Sequence, residues 1–261
     1  MDHEEVGRFW EENAEAWTEL VRAGYDHYRD GLNTPAFMEM LPDVRGLSGL
    51  DIGCGEGHNT RLLAARGARM TGIDISETFV RHAREAEEDE PLGIRYERAS
   101  AVDLPFADGR LDFATAFMSL MDIPEVEEVV AEAFRALASG GFLQFSISHP
   151  CYDTPHRENL RGEDGLTYAI EVGDYFRGHD GEIKEWRFAA APPGAGNLPP
   201  FRTPFFSRTL SEWLNLLLDA GFVLERFGEP CPDEEAVRER PGLQDAQVVA
   251  YFLHIRARKP A

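Results

Sequence analysis

The stretch "GLDIGCGEGHNT", residues 49 to 60, constrains this chain more than any other. An apolar run ends in glycines at 53, 55 and 57, then passes into residues that suit a helix start. Glycine permits positive φ and carries no Cβ, so the backbone here can come very close to another group. A second apolar run, "RMTGIDI", follows one short helix later and contains Asp74 near its end. Strand, glycine turn, helix, strand and carboxylate is the order of a nucleotide-type site. The helix start offers free N–H groups and a dipole, and the carboxylate stands where it can grip ribose hydroxyls.

The alternation continues. "IRYERAS" and "LDFATAFMS" read as buried strands, "VEEVVAEAFRALASGG" as a helix and "GFLQFSIS" as a fifth strand. Strands alternating with helices predict βαβ units and a largely parallel sheet. Ahead of them, residues 4–22 place Val6, Phe9, Trp10, Ala14, Trp17, Leu20 and Val21 at helical spacing. "YDHYRDGLNTPAFMEMLP" then reads as a loop and a second helix, with Asn33 or Thr34 as N-cap and Pro35 at the first position. Between 151 and 206 the pattern breaks into a stretch rich in Pro, Gly, Asp and aromatics, with β-like fragments "LTYAIEV", "EIKEWRF" and "FRTPFFSRT". A helix, "TLSEWLNLLLDAGF", and two strands, "VLERFG" and "AQVVAYFLHIRARK", close the chain. The expected organisation is an N-terminal helical cap (1–45), a cofactor-binding core (46–150), a substrate-binding insert or lid (151–206) and a C-terminal return to the core (207–261).

Several chemistries are disfavoured at once. The glycine spacing is G-x-G-x-G, not the G-x-G-x-x-G of dinucleotide sites, and Asp51 stands two residues before the first glycine. A carboxylate there repels a pyrophosphate and welcomes an ammonium group. None of the seven tyrosines has a lysine four residues later, and no G-K-[ST] step exists for a phosphate cradle. The formal charge of −21 argues against a nucleic-acid groove, which needs a basic patch. Only Lys184 and Lys259 are lysines, so catalysis by lysine has little to draw on. Cys54, Cys151 and Cys231 are an odd number and too widely spaced for a metal knuckle, so no metal is expected. With no membrane-length apolar run and an acidic start that does not read as a leader, the expectation is a reducing, cytoplasmic setting.

"LDIGCGEG", "TGIDIS", "ASAVDLPFADGRLDFA" and "AFRALASGGFL", in that order, resemble the successive motifs of class I S-adenosylmethionine-dependent methyltransferases. They are most similar in style to the small-molecule branch that includes quinone-biosynthesis methyltransferases, over residues 46 to 148. The resemblance implies an α/β fold: a Rossmann-like, seven-stranded, mostly parallel sheet with helices on both faces and the last strand antiparallel, carrying a β-rich insert after strand 5. It implies S-adenosyl-L-methionine as cofactor, S-adenosyl-L-homocysteine as product and a small-molecule methyl acceptor. By position, Asp51 and the backbone of Gly53, Cys54, Gly55 and Gly57 would face the methionine part. Asp74 would hold the ribose hydroxyls, and Ile75 would pack on the adenine. The family often has an acid at the position of Ser100; here a serine stands there, with the Ala101 N–H still able to bond the ring. Phe117 and Met118 would floor the sulfonium, and Tyr28 would fold over the cofactor from the N-terminal region.

Methyl transfer is an in-line displacement that alignment and water exclusion accelerate, so a general base is needed only where the acceptor loses a proton. His149 is the candidate, because it leaves the carboxyl end of the fifth strand; the competing reading is a turn residue fixed by Pro150. The acceptor is expected to be planar or apolar and to meet Tyr25, Tyr152, Tyr168, Tyr175, Trp186 and Arg202. Whether oxygen, nitrogen or carbon is methylated stays open, as does monomer against homodimer. A cofactor-binding relative without catalysis, a nicotinamide oxidoreductase and an aminopropyl transferase are the competing classes.

Overall fold

A computed structural model describes residues 1–192 and 199–261. The chain begins with α1 (His3–Arg22), whose Asp2–Glu5 capping box satisfies its first N–H groups. A π-helical turn (Arg29–Asn33) runs into α2 (Thr34–Met40). The core then alternates as expected: β1 (Ser48–Ile52), α3 (His58–Ala65), β2 (Arg69–Asp74), α4 (Glu77–Asp89), β3 (Arg95–Arg98), β4 (Leu111–Phe117), α5 (Val126–Ala136) and β5 (Leu137–Ser148). Two hairpins form the insert, β6 (His156–Arg161) with β7 (Thr167–Gly173) and β8 (Asp180–Trp186) with β9 (Phe201–Phe206). The chain returns through α6 (Leu210–Asp219), β10 (Val223–Gly228), α7 (Glu234–Glu239) and β11 (Phe252–Arg258).

The main sheet has seven strands in the order β10-β11-β5-β4-β1-β2-β3. Strands β1 to β5 pair in parallel, and β11 is antiparallel to both β5 and β10. The expected Rossmann-like sheet is therefore present. Period-two alternation assigns its faces. Leu50 and Ile52, Ala114 and Ala116, Leu143, Phe145 and Ile147, and Leu253 and Ile255 join α5 and α6 in one core. The opposite face packs Met70, Phe113 and Phe142 against Phe37, Leu63, Val80 and Ala83 of α2, α3 and α4.

That second face also holds buried polar groups: Asp51, Thr115, Gln144, Ser146 and His254. Gln144, Ser146 and His254 fasten α2 and the residue before it to the sheet. Gln144 donates to the Phe37 carbonyl at 2.8 Å, and Asn33 meets both the Ser146 hydroxyl (2.9 Å) and His254 Nε2 (2.6 Å). Asn33 stands at the expected N-cap position of α2 but does not cap it. Asn33 has helical φ and ψ (−70°, −53°) and no capping bond, because its amide serves the sheet instead.

Other boundaries moved for tertiary reasons. The helix expected to reach Gly141 ends at Ala136, and β5 starts there because Leu137 pairs with Leu111 and Gly140 donates to the Lys259 carbonyl. The long final strand is confined to Phe252–Arg258, since residues 241–247 close as a 3₁₀ turn. β6 and α7 were not anticipated; "HRENLR" and "EEAVRE" are too polar to show a strand or helix face.

Candidate active site

The three glycines have φ of +66°, +55° and +91°, left-handed values that strain any side chain bearing a Cβ. Their surroundings differ. A Cβ on Gly53 would stand 2.5 Å from the Cβ of Ser119, and one on Gly57 would stand 2.7 Å from the Tyr96 hydroxyl. A Cβ on Gly55 would meet nothing within 4 Å. Gly53 and Gly57 thus allow close packing of protein on protein, whereas Gly55 opens onto free space at the carboxyl edge of the sheet.

Asp74 closes the other side of this cradle. Its Oδ2 accepts the Gly55 N–H and its Oδ1 the Ser76 N–H, both at 2.9 Å. Burial pushes its carboxyl up to about 6, against the pull of those two N–H groups. Asp51 is 2% exposed, with the Thr60 hydroxyl on Oδ2 (2.6 Å) and the Thr115 hydroxyl on Oδ1 (2.8 Å). Burial raises it likewise to about 6, with the hydroxyls opposing and the Asp74 charge adding. Cys54 is a buried filler of the loop, and burial holds its thiol well above the ordinary range.

The turn after β4 packs against the glycine loop. Met118 has a φ of +53°, uncommon for a residue with a side chain, and its N–H donates to the Ser146 carbonyl. Ser119 donates to the Ile52 carbonyl at 2.7 Å, locking this turn against the glycine loop. Phe117 turns its ring edge-on to Phe37, 5.2 Å away. Beyond β3, Ala99 donates to the Asp74 carbonyl, which sets Ser100 and Ala101 beside that residue. The Ser100 hydroxyl accepts from the Val102 N–H.

Helix α1 lies across the edge as a cover. A Cβ on Gly7 would meet Ile75 at 2.9 Å, so the helix rests on that side chain. Glu11 accepts from the Ser76 hydroxyl at 2.5 Å and the Thr78 hydroxyl at 2.7 Å. At the far end, Arg22 and Arg29 converge on Glu56 of the glycine loop, at 3.6 and 3.3 Å. On the face shared by Gly7, Ala14 and Val21, Thr18 is 2% exposed and its hydroxyl has no hydrogen-bond partner among the described residues. An open cradle at Gly55, a buried carboxylate at Asp74 and an orphan hydroxyl on the cover fit a polar cofactor held between loop and helix. Glu11, Thr18 and Glu56 were not singled out from sequence; only their partners across space mark them.

A cleft of 740 Å³ opens beside the loop, between Glu56 and His58 on one wall and Val21, Arg29 and Pro35 on the other. Neither Asp74 nor Met118 borders it, so it flanks the cradle without being the cradle.

The acceptor candidates separate into groups. Trp186 donates to the Thr203 hydroxyl at 2.9 Å and packs with Trp17, Phe188 and Phe201, ring centroids 5.0 to 5.6 Å apart. Arg202 exchanges backbone hydrogen bonds with the Asn13 amide, so hairpin β8–β9 is sewn to α1. Tyr152 stacks on Tyr251 at 3.8 Å, Tyr28 stacks on the same ring at 5.2 Å, and the Tyr28 hydroxyl donates to the Gly242 carbonyl. Tyr28 and Tyr152, assigned to cofactor and acceptor, therefore share one aromatic stack through Tyr251. Tyr175 accepts the first N–H of α6, Tyr168 is 67% exposed, and Tyr25 sits in the turn that ends α1. His149 is buried; its Nδ1 accepts the Cys151 N–H at 3.1 Å, leaving the Nε2 proton toward Glu229 at 2.9 Å. Both nitrogens are thus engaged within the protein.

Comparison with known proteins agrees with this geometry. The model of the methyltransferase domain family matches residues 50–145. The 27-O-demethylrifamycin SV methyltransferase of Amycolatopsis mediterranei is 38% identical over 230 residues, covering 85% of this chain and 80% of that protein. An O-methyltransferase of Penicillium expansum is 30% identical, over 58% of this chain and 62% of its own length. Among solved structures, an S-adenosylmethionine-dependent methyltransferase from Mesorhizobium loti superposes with a TM-score of 0.69 at 29% identity, covering 86% of this chain and 96% of that one. Fold, cradle and relatives agree: the chain belongs to the class I S-adenosylmethionine-dependent methyltransferases, with S-adenosylmethionine as its cofactor.

Proposed function

We propose that this enzyme methylates a hydroxyl oxygen of a small, planar or largely apolar metabolite. The observation that carries the reading is the aromatic lid: Trp17, Trp186, Phe188 and Phe201, from α1 and hairpin β8–β9, interlock beside the turn that follows β4. Such rings exclude water and offer flat, apolar contact at low entropic cost. The choice of oxygen rests on the two O-methylating relatives, one of them similar along most of the chain.

S-adenosylmethionine, when bound, supplies a methyl group on a positively charged sulfur. The chain's own residues supply position. Asp74 takes the ribose hydroxyls, exchanging its present bonds from Gly55 and Ser76 for partners on the cofactor. The Gly53–Gly57 backbone lies against the methionine part, with Asp51 behind it as a buried negative charge. Ile75, Ser100 and Ala101 border the adenine, and Phe117 and Met118 floor the reacting centre. Holding the partners in line while α1 and the hairpin keep water away lowers the barrier without a dedicated nucleophile. His149 acts as a base only after its Nδ1 releases the Cys151 N–H, because Nε2 already carries a proton toward Glu229.

Incubation with S-adenosylmethionine and a panel of phenols, hydroquinones and matched anilines, read as S-adenosylhomocysteine by mass spectrometry, tests the reading. Turnover confined to hydroxyl acceptors supports it; turnover confined to the anilines refutes it.

A further inference from the structure

The 740 Å³ cleft beside the glycine loop is walled by charge of both signs. Arg22, Arg29 and Arg66 line it with Asp30 and Glu56, a small positive excess in a chain of formal charge −21. His58 adds nothing to that balance at neutral pH, because burial holds its imidazole below the ordinary value. Opposite charges side by side on a cleft wall suit a ligand that itself carries both signs.

Arg29 is the fixed point of this wall. It opens the π-helical turn, with its backbone N–H on the Asp26 carboxylate at 2.9 Å. Its Nε meets Asp30 at 2.8 Å, its Nη1 meets Glu56 at 3.3 Å and its Nη2 meets the Val21 carbonyl at 3.2 Å. Among the described residues these bonds use three of the five N–H groups of a guanidinium and leave two for a ligand. The side chains of Arg29 and Glu56 are only 12% and 11% exposed, so their charges are held in place and poorly screened. Arg22, the last residue of α1, reaches Glu56 at 3.6 Å and donates to the His82 carbonyl at 3.0 Å.

The cleft continues the cradle. Asp74 accepts the Gly55 N–H at 2.9 Å, and Glu56 follows at once. A Cβ on Gly55 would meet nothing within 4 Å, so the way from Asp74 past this glycine is open. A ligand with its ribose on Asp74 and its chain across Gly55 brings its far end to the cleft. That far end of S-adenosylmethionine is an α-amino acid, a carboxylate and an ammonium on one carbon. Asp51 is not placed to meet the ammonium directly. It is 2% exposed, and both its oxygens are engaged by the Thr60 and Thr115 hydroxyls. Glu56 is the loop carboxylate that borders the cleft.

We propose that this cleft is the amino-acid subsite of the cofactor: Arg29 and Arg22 take its carboxylate, and Glu56 takes its ammonium. This rests on the placement of the ribose at Asp74 and does not depend on which acceptor is methylated. The two charges of the ligand then lie head to tail against the Arg29–Glu56 pair, each beside its opposite.

Calorimetric titration of the whole chain with two ligands tests this without any acceptor. S-adenosylhomocysteine carries the amino-acid end and methylthioadenosine lacks it, while the nucleoside is the same. Arg29 also anchors Asp30 and the Val21 carbonyl, so its neighbours give the cleaner variants. Arg22→Met and Glu56→Gln keep an unbranched stem and remove the charge. Each should weaken S-adenosylhomocysteine by about tenfold or more and leave methylthioadenosine within about twofold. A smaller change in the ratio of the two affinities, in either variant, overturns the proposal. Equal weakening of both ligands does so too, because it marks the charges as struts of the loop. Free L-methionine binding beside saturating S-adenosylhomocysteine also overturns it, since the cleft would then serve a separate amino acid. A ribose that lies elsewhere shows differently: Asp74→Ala then leaves methylthioadenosine binding unchanged, whatever the ratio does in the other variants.

Discussion

Replacing Gly55 by alanine separates the two uses the loop makes of glycine. At φ +55° an alanine pays the left-handed strain of about 1–2 kcal/mol, partly offset by the stiffer unfolded chain. No protein atom stands within 4 Å of the new methyl, so packing adds nothing. The net loss is about 1 kcal/mol, or roughly 2–4 °C in melting point for a chain of this size. The methyl nevertheless enters the space where the cofactor must touch the backbone. Overpacking there costs about 1–3 kcal/mol, a loss of affinity of roughly 10- to 100-fold. Gly53→Ala inverts the balance. Its methyl would stand 2.5 Å from the Ser119 Cβ at φ +66°, so strain and overpacking together cost about 2–5 kcal/mol of stability. Urea unfolding and calorimetric titration with S-adenosylhomocysteine read both quantities. A G55A protein that binds within twofold of wild type would refute the cradle, and a G53A protein as stable as G55A would refute the packing argument.

Asp74→Ala should lose about 10- to 150-fold in affinity for S-adenosylhomocysteine, since the ribose hydroxyls lose a charged acceptor worth about 1.5–3 kcal/mol; unchanged titration curves would mean the ribose lies elsewhere. With Asp74 raised to about 6, stability is highest below the unfolded value near 4 and is lost as pH rises through about 6. Asp74→Asn should therefore improve relative to wild type by up to about 3 kcal/mol between pH 4 and pH 8, measured by urea unfolding without ligand. Trp17→Ala empties the centre of the ring cluster that joins α1 to the hairpin, costing about 2–4 kcal/mol and making the N-terminal helix a site of early proteolytic cleavage. Glu229→Gln keeps a hydrogen-bond acceptor for His149 and should change the melting point by less than about 4 °C with methyl transfer intact; a tenfold loss of turnover would place the His149–Glu229 pair in the chemistry.

Much of the fold was legible because its signals are local. Apolar runs between glycine turns marked β1, β2 and β4. The acidic pair Asp51 and Asp74 could be assigned by position along the chain. The rest depended on partners distant in sequence. Asn33 reads as a helix cap, yet Ser146 and His254 claim its amide across more than 100 residues. Tyr28 reads as a loop aromatic, yet Tyr251 and the Gly242 carbonyl hold it against the C-terminal segment.

By itself, the sequence determined the sheet, the glycine turn after its first strand and the family, because hydrophobic period and glycine geometry act within a few residues of one another. Tertiary structure alone decided how the glycine loop is covered and how the insert hairpin is tied to α1. Those features are made by side chains that meet from distant parts of the chain: Glu11 on Ser76, Arg29 on Glu56 and Trp17 on Trp186. Burial sets the strength of such contacts, and burial exists only once the chain has folded.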